Sequence, residues 1–266
     1  RYDANGHMVK GWDVNENGTY YFDQITGAMA KGALLLDDVQ YGFDPIMGTM
    51  LDCQWLHTEV GDYWYEGGIR QGTEGRGKEI YDLASDAWYW LDAVDNGKKA
   101  VSKDVYQESD GGKWVRYDEN GHMIKGENCQ NGNWYYFEPV TGAMIHGPWT
   151  LPDGRKVYYD LTTGIMQYGN VSINGSLYYF DPVYGTMKSG ALTNFWVTDG
   201  NGKSFWYESW VRQGWQPSNA NYRGKEIYDP DSDAWYWLDA VQGGAMTVSK
   251  DVYQESAAGQ WADKPD

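Results

Sequence analysis

Gly18-Thr19-Tyr20-Tyr21-Phe22-Asp23-Gln24-Ile25-Thr26-Gly27-Ala28-Met29-Ala30-Lys31-Gly32 sets an aromatic run, a turn of Asp, Thr and Gly, and one methionine into a short span closed by glycine. The pattern returns at Asn133-Trp134-Tyr135-Tyr136-Phe137-Glu138-Pro139-Val140-Thr141-Gly142-Ala143-Met144. It returns again at Ser176-Leu177-Tyr178-Tyr179-Phe180-Asp181-Pro182-Val183-Tyr184-Gly185-Thr186-Met187. A fixed period marks a repeat architecture, in which each unit is too small to bury its own apolar face and gains a core from its neighbours.

Methionine keeps the count. Met8, Met29 and Met50 stand 21 apart, and Met123, Met144, Met166 and Met187 stand 21, 22 and 21 apart. Met246 belongs to a worn copy, and Met47 alone lies off this ladder. A longer period is superposed. Gly77–Asp82 returns as Gly224–Asp229, and residues 85–94 and 102–109 return as 232–241 and 249–256, all displaced by 147. Arg1 and Arg116, which open the two units, are only 115 apart, so the second unit carries 32 more residues. Of these, 22 make one further short repeat around residues 148–169. The expected organisation is a first long unit at 1–115 and a second, with the extra repeat, at 116–266.

Each short repeat has an aromatic run of period 2, a turn rich in Asp, Pro, Thr and Gly, and a short second strand at Ala-Met, which is a β-hairpin signal. Asn5-Gly6, Asn17-Gly18, Asn120-Gly121, Asn131-Gly132 and Asn174-Gly175 favour type I′ turns. Strand alternation places Tyr135 and Phe137 on one face, and Trp134 and Tyr136 on the other. A lone hairpin is marginal in water, so copies must stack. No segment sustains a 3.6-residue apolar period. The predicted fold is all-β: a β-solenoid of stacked hairpin repeats of about 21 residues, with less regular β insertions at 56–75 and 191–222.

Composition narrows the function. Of 266 residues 17% are aromatic, carried by 23 Tyr and 15 Trp against 6 Phe, a bias that suits rings with one buried and one wet side. The net charge of −17 disfavours nucleic acid and anionic membranes, and no apolar run reaches the roughly 18 residues of a membrane span. The chain opens in mid-motif, so a longer array is expected around it. Cys53 and Cys129 sit at non-equivalent repeat positions and read as buried or free thiols. His7 and His122 occupy one repeat position beside an Asn-Gly turn, while His57 and His146 have no motif around them. No nucleophile elbow, phosphate loop or zinc spacing is present, and no enzyme or cofactor is expected. Asp13-Val14-Asn15-Glu16-Asn17-Gly18 matches half a calcium loop but has Gln24 where a bidentate Glu is wanted, so it reads as a turn. Asp229, Asp231 and Asp233 form another carboxylate cluster, which reads as a turn before a metal site.

The repeat Gly-x-(Trp)-Tyr-Tyr-Phe-(Asp/Glu)-x-x-(Thr/Tyr)-Gly-(Ala/Thr)-Met resembles the cell-wall-binding repeats of Gram-positive surface proteins. These include choline-binding repeats, the glucan-binding repeats of glucosyltransferases and the receptor-binding repeats of large clostridial toxins. The resemblance covers residues 1–55 and 114–190 best. It implies a non-catalytic module, secreted and surface-associated, that binds a cell-wall polymer or glycan. In choline-binding members the ligand sits between hairpins among aromatic rings and a Met, the first ring being a Trp that follows the closing Gly. Trp12 after Gly11 fits, and Trp149 fits after Gly147 with one insertion. Ala33, Glu127, Asn170 and Ala191 follow the other closing glycines. Complete choline cages are therefore few, which favours glycan recognition. The ligand-binding candidates are Trp12, Tyr21, Trp88, Trp90, Trp134, Tyr136, Trp149, Trp206, Trp235 and Trp237. A protein-interaction module for a host surface protein is the alternative, and a purely structural stalk is a third reading.

Overall fold

A computed structural model describes residues 1–187, 194–253 and 261–262. The Gly190-Ala191 junction and the start of the 191–222 segment lie outside the described residues. Two compact units divide the chain: residues 1–128 with 136–144, and residues 129–135 with 145–266. Their boundary runs through the strands Gly126–Gln130 and Asn133–Phe137. The fold is all-β. Among the described residues the only helical segments are the 3₁₀ turns Ala93–Asp95, Ser109–Gly111 and Ala240–Gln242.

The first unit opens with the hairpin Gly11–Asn15/Gly18–Phe22, in register from Gly11↔Phe22 to Asn15↔Gly18. A carboxylate then turns the chain. Asp23 Oδ1 accepts the amides of Ile25 (3.0 Å) and Thr26 (2.6 Å) and the Thr26 hydroxyl (2.8 Å). The turn returns Met29 to Phe22 as an antiparallel bridge. Asp44 and Glu138 repeat the turn in this unit, and Asp160 and Asp181 repeat it in the second.

Two contacts join one hairpin to the next. The Met amide donates to the carbonyl that opens the preceding aromatic run: Met50 to Thr19 at 2.8 Å, Met123 to Trp88 at 3.0 Å and Met144 to Trp114 at 2.7 Å. In the second unit Met166 donates to Trp134 at 2.8 Å. The Met side chain then fills the space above a glycine of the next turn. A Cβ on Gly27, Gly48, Gly68 or Gly142 would stand 2.3–2.8 Å from Met8, Met29, Met50 or Met123, and these glycines have φ between +68° and +81°. Met166 meets Gly185 in the second unit in the same way. Glycine is thus required twice over, by the left-handed backbone and by the neighbouring thioether.

The third residue of each aromatic run is the anchor of the core. Phe43, Tyr65, Tyr117 and Phe137 in the first unit, and Tyr159 and Tyr207 in the second, are sealed from solvent, and Leu91 and Leu238 take this place in the Trp-Tyr-Trp copies. Tyr136 and Phe137 are both buried although adjacent, as are Tyr21 and Phe22.

Each unit also holds a larger sheet. In the first, the strands run Gly32–Leu36, Val39–Phe43, Ile69–Arg70, Gly61–Glu66, Lys98–Lys99, Ala87–Asp92, Gly77–Asp82, with Gln54–Thr58 paired to Gly61–Glu66. The second repeats this order from Gly169–Ile173 to Gly224–Asp229, with Asn194–Thr198 paired to Ser204–Glu208. The segments read as irregular are therefore hairpins of the same kind. The extra short repeat forms the hairpin Gly147–Thr150/Lys156–Tyr159.

Turn chemistry differs from expectation in part. Asn131-Gly132 and Asn174-Gly175 have positive φ at both residues, as a type I′ turn requires. Asn5, Asn17 and Asn120 do not, because Asp3, Asn15 and Asp118 capture their amides at 2.8–2.9 Å and fix a different turn. Asp37-Asp38 supplies a turn with both φ positive and no glycine.

Candidate functional site

Three clusters of three rings recur with one geometry. In the first unit Trp12 lies opposite Tyr21 across the hairpin, ring centroids 5.1 Å apart at 69°, and Tyr41 of the next hairpin stands 5.0 Å away at 68°. Trp55 repeats this with Trp64 (5.0 Å, 67°) and Tyr89 (5.0 Å, 71°). In the second unit Trp196 does so with Trp206 (4.9 Å, 59°) and Tyr236 (5.0 Å, 74°). The construction rule is common: a Trp on the first strand, the ring paired to it on the second, and the tyrosine two residues before the sealed anchor (Phe43, Leu91 or Leu238) of a following hairpin.

Carboxylates hold the indoles. Trp64 Nε1 donates to Glu66 at 3.1 Å and Trp206 Nε1 to Glu208 at 3.2 Å, and each glutamate also receives a lysine, Lys78 (2.6 Å) or Lys225 (2.7 Å). Trp55 Nε1 donates to Asp82 at 3.2 Å and Trp196 Nε1 to Asp229 at 3.0 Å. The Trp196 N–H, with Ser232 and the Asp231 amide, holds the Asp229 carboxyl below the usual carboxylate range. At Asp82 burial is the largest influence and pushes upward, but the bonds from Ala84, Ser85 and Trp55 together outweigh it and hold that carboxyl low as well. The rings meet at 59–74° to one another, and in the second and third clusters carboxylates stand at the indole N–H groups. Exposed aromatic faces attract cations by their quadrupoles, and they also stack with the apolar face of a sugar.

The candidate residues divide among different places. Trp12 and Tyr21 meet in the first cluster, and Trp206 belongs to the third. Trp12 is 44% exposed, while Tyr21 and Trp206 are buried walls. Trp90 lies in a core cluster with Ala100, Val105, Val115 and Tyr117. Trp237 is half-buried beside Gly224. Trp88 and Trp235 are exposed, each against a tyrosine of the paired strand, Tyr81 at 5.1 Å and Tyr228 at 5.3 Å. Trp134 is exposed and Tyr136 buried.

At Trp149 the register departs from the expected alignment. Pro148 pairs with Tyr158, as Trp12 pairs with Tyr21, and Trp149 pairs with Val157. The one-residue offset moves the indole to the other strand face. Where the cluster rule would place a Trp, a cavity of about 700 Å³ opens, lined by Pro148, Trp149, Tyr158, Tyr178, Phe180 and Met187. Another hairpin replaces both rings by an ion pair: Asp104 faces Arg116 with bonds of 2.6 and 2.9 Å.

Tyr41, Trp55, Trp64, Tyr89, Trp196 and Tyr236 were not among the sequence candidates. The signal for them is spacing. Trp12 and Tyr21 are nine apart, Trp55 and Trp64 nine apart, and Trp196 and Trp206 ten apart, which is the span between paired positions of one hairpin.

Other candidate chemistry is placed as turns. Asp13 bonds Arg1 and Asn15, and Asn15 accepts the Asn17 amide. The amides of His7 and His122 donate to Asp3 and Asp118 at 2.8 Å, so this repeat position serves the turn. Cys53 and Cys129 read as buried or free thiols; they are free, and both are exposed. Burial against its neighbours and the adjacent Asp52 and Glu66 charges push the Cys53 thiol up. Among the described residues no group of three His, Cys, Asp or Glu side chains could hold a metal, and no helix is long and apolar enough to cross a membrane.

Comparison with known proteins agrees with this construction. The family described as choline-binding repeat matches residues 2–51 and 107–149. A glucosyltransferase-S of Streptococcus downei is 25% identical over 191 residues, 60% of this chain, which spans 14% of that enzyme's length. Choline binding protein F of Streptococcus pneumoniae has a similar fold, with a TM-score of 0.54 at 21% identity over 96% of this chain and 93% of its own. CbpJ of Streptococcus pneumoniae TIGR4 aligns with a TM-score of 0.53 at 21% identity, over 95% of this chain and 94% of its own. Residues 2–51 and 107–149 thus match choline-binding repeats, and the fold of the chain is similar to that of the two pneumococcal proteins.

Proposed function

We propose that the chain is a non-catalytic binding module of a secreted, wall-associated protein, and that it holds choline-like quaternary ammonium groups or sugar rings of a cell-wall polymer between its hairpins. The observation that carries this is the threefold recurrence of one ring geometry, Trp12–Tyr21–Tyr41, Trp55–Trp64–Tyr89 and Trp196–Trp206–Tyr236, with centroids about 5 Å apart. Core packing alone does not call for a half-exposed Trp at the apex of such a cluster. Trp12 is that residue in the first cluster. The Met-to-carbonyl bonds, from Met50, Met123 and Met144 in the first unit and Met166 in the second, favour a β-solenoid, since they join hairpins through the backbone.

Titration with choline chloride, followed by Trp fluorescence and calorimetry, together with a glycan array, tests this. Saturable binding that Trp12→Ala and Trp196→Ala reduce supports it, and silence toward choline and every glycan defeats it. A second reading, docking of a host protein, draws on the exposed pairs Trp88–Tyr81 and Trp235–Tyr228. It predicts that Trp235→Ala, with Trp235 67% exposed, abolishes capture of the protein partner and leaves choline titration unchanged.

A further inference from the structure

The three clusters differ at one position of the methionine ladder. Met50 bridges Phe43 beside the first, and Met246 pairs with Leu238 beside the third. Beside the second, the same place is taken by Lys99, paired with Leu91. Its ammonium lies 5.4 Å from the Trp55 ring centroid and 5.6 Å from that of Tyr89, within the roughly 6 Å over which a cation is drawn to an aromatic face. The lysine side chain is 17% exposed, and Asp62 holds it at 2.7 Å. His57 Nδ1 bonds Asp62 from the opposite side at 2.8 Å, across a register pair of the same hairpin.

The second unit lacks every part of this device. The register pair His57↔Asp62 corresponds to Thr198↔Ser204, whose hydroxyls bond each other at 2.9 Å, and the lysine corresponds to Met246. The rings are kept while the cation, its counter-ion and the supporting histidine are exchanged together. A lysine needed only for hairpin pairing would not require that exchange, because methionine fills the position elsewhere in the chain.

We propose that Lys99 is a built-in occupant of the Trp55–Trp64–Tyr89 cluster, which therefore excludes quaternary ammonium ligands, while the Trp196–Trp206–Tyr236 cluster accepts them. This rests on the binding function proposed above. The ammonium stands where an external trimethylammonium group would otherwise sit, and Asp62 supplies its counter-charge, so a free ligand would have to displace a tethered one. At any realistic ligand concentration a tethered group within reach has the advantage of a high effective concentration.

The test counts sites by calorimetric titration of the whole chain with choline chloride. Lys99→Met is expected to add one site to the wild-type number, and Trp55→Ala in that background is expected to remove it again. Met246→Lys is expected to remove one wild-type site. If wild type binds choline and Trp196→Ala loses a site, but Lys99→Met adds none, the occupant role is overturned and the binding function stands. If neither wild type nor Lys99→Met binds choline, the occupant role is overturned, and the glycan array decides the binding function. Reductive ¹³C-methylation gives a readout independent of ligand. The Lys99 methyl signal is expected well upfield of the other lysines through the ring currents of Trp55 and Tyr89, and a signal at the ordinary lysine position overturns the proposal.

Discussion

Trp196 donates its indole N–H to Asp229, 33 residues further on, at 3.0 Å, and so ties the apex of a ring cluster to the turn of the following hairpin. Asp229 in turn caps its own loop through the Asp231 amide and Ser232. One carboxylate therefore sets both the pitch of a ring and the shape of the loop behind it. Asp229→Ala is expected to weaken choline binding at this cluster by roughly fivefold, the effect of one hydrogen bond of about 1 kcal/mol. Trp fluorescence should shift to the red as the indole gains water. Unchanged affinity and emission would show that the ring needs no tether.

Acid should loosen the whole array. Asp23, Asp44, Asp160 and Glu138 all lie below the usual carboxylate range, each chiefly through a backbone amide of its turn. Their pKa values are lower in the folded than in the unfolded chain, so the folded state binds fewer protons as the pH falls. The stabilisation is fully present above the unfolded values of about 4, and it drains away as the pH drops through the lower folded ones. Urea midpoints measured from pH 7 to pH 3 should be flat to about pH 5 and then fall. A midpoint that rises on acidification would contradict the turn assignment.

Ring apex and core Trp should separate cleanly. Trp12→Ala is expected to lower ligand binding with little loss of stability, because that indole is half-exposed. Trp90→Ala is expected to cost about 3–5 kcal/mol in denaturant unfolding, since it empties a core site among Val105, Val115 and Tyr117. Equal stability losses in the two variants would argue that Trp12 is core too.

The Met–Gly joint makes a specific demand. Gly48→Ala places a methyl group 2.8 Å from Met29 on a backbone at φ +74°, and should cost more than the ~1 kcal/mol that an Ala at a compatible site can gain. Met29→Ala relieves the clash but not the strain. The double variant should therefore be more stable than the sum of the two single losses, by an amount a double-mutant cycle reads directly.

Much of the architecture is legible in the chain because repetition multiplies weak signals. The aromatic run, the turn carboxylate and the methionine each recur at fixed spacing, and together they specify hairpins where one copy would not. What escaped notice lies in the second dimension. Trp55 and Trp64 look unrelated in a linear scan, since their meeting depends on which residue of one strand faces which of the other. The segments holding Trp64 and Trp196 have altered turns and lack the Asp-x-x-Thr-Gly signature, so their aromatic runs read as insertions. At Trp149 one residue of register decided the matter: a Trp after a glycine looked sufficient, but Pro148 holds the paired position. Lys99 occupies the register position that Met246 holds in the other Trp-Tyr-Trp copy. Its nearness to two rings is not legible in the sequence, because it depends on a hairpin more than 30 residues earlier.

The methionine that fits above the glycine of the next turn also bears on how such a chain grows. Met8 and Gly27, Met29 and Gly48, Met123 and Gly142, and Met166 and Gly185 are each 19 residues apart, and Met50 and Gly68 are 18 apart. At these five joints one hairpin supplies a plug and the next the matching socket. A duplicated segment that begins and ends at the same point of the repeat meets compatible neighbours on both sides, whatever its internal loops have become. Gene duplication can therefore lengthen or shorten the array a hairpin at a time without inventing a new junction, and the additional hairpin at Gly147–Thr150/Lys156–Tyr159 has the form such an event would leave.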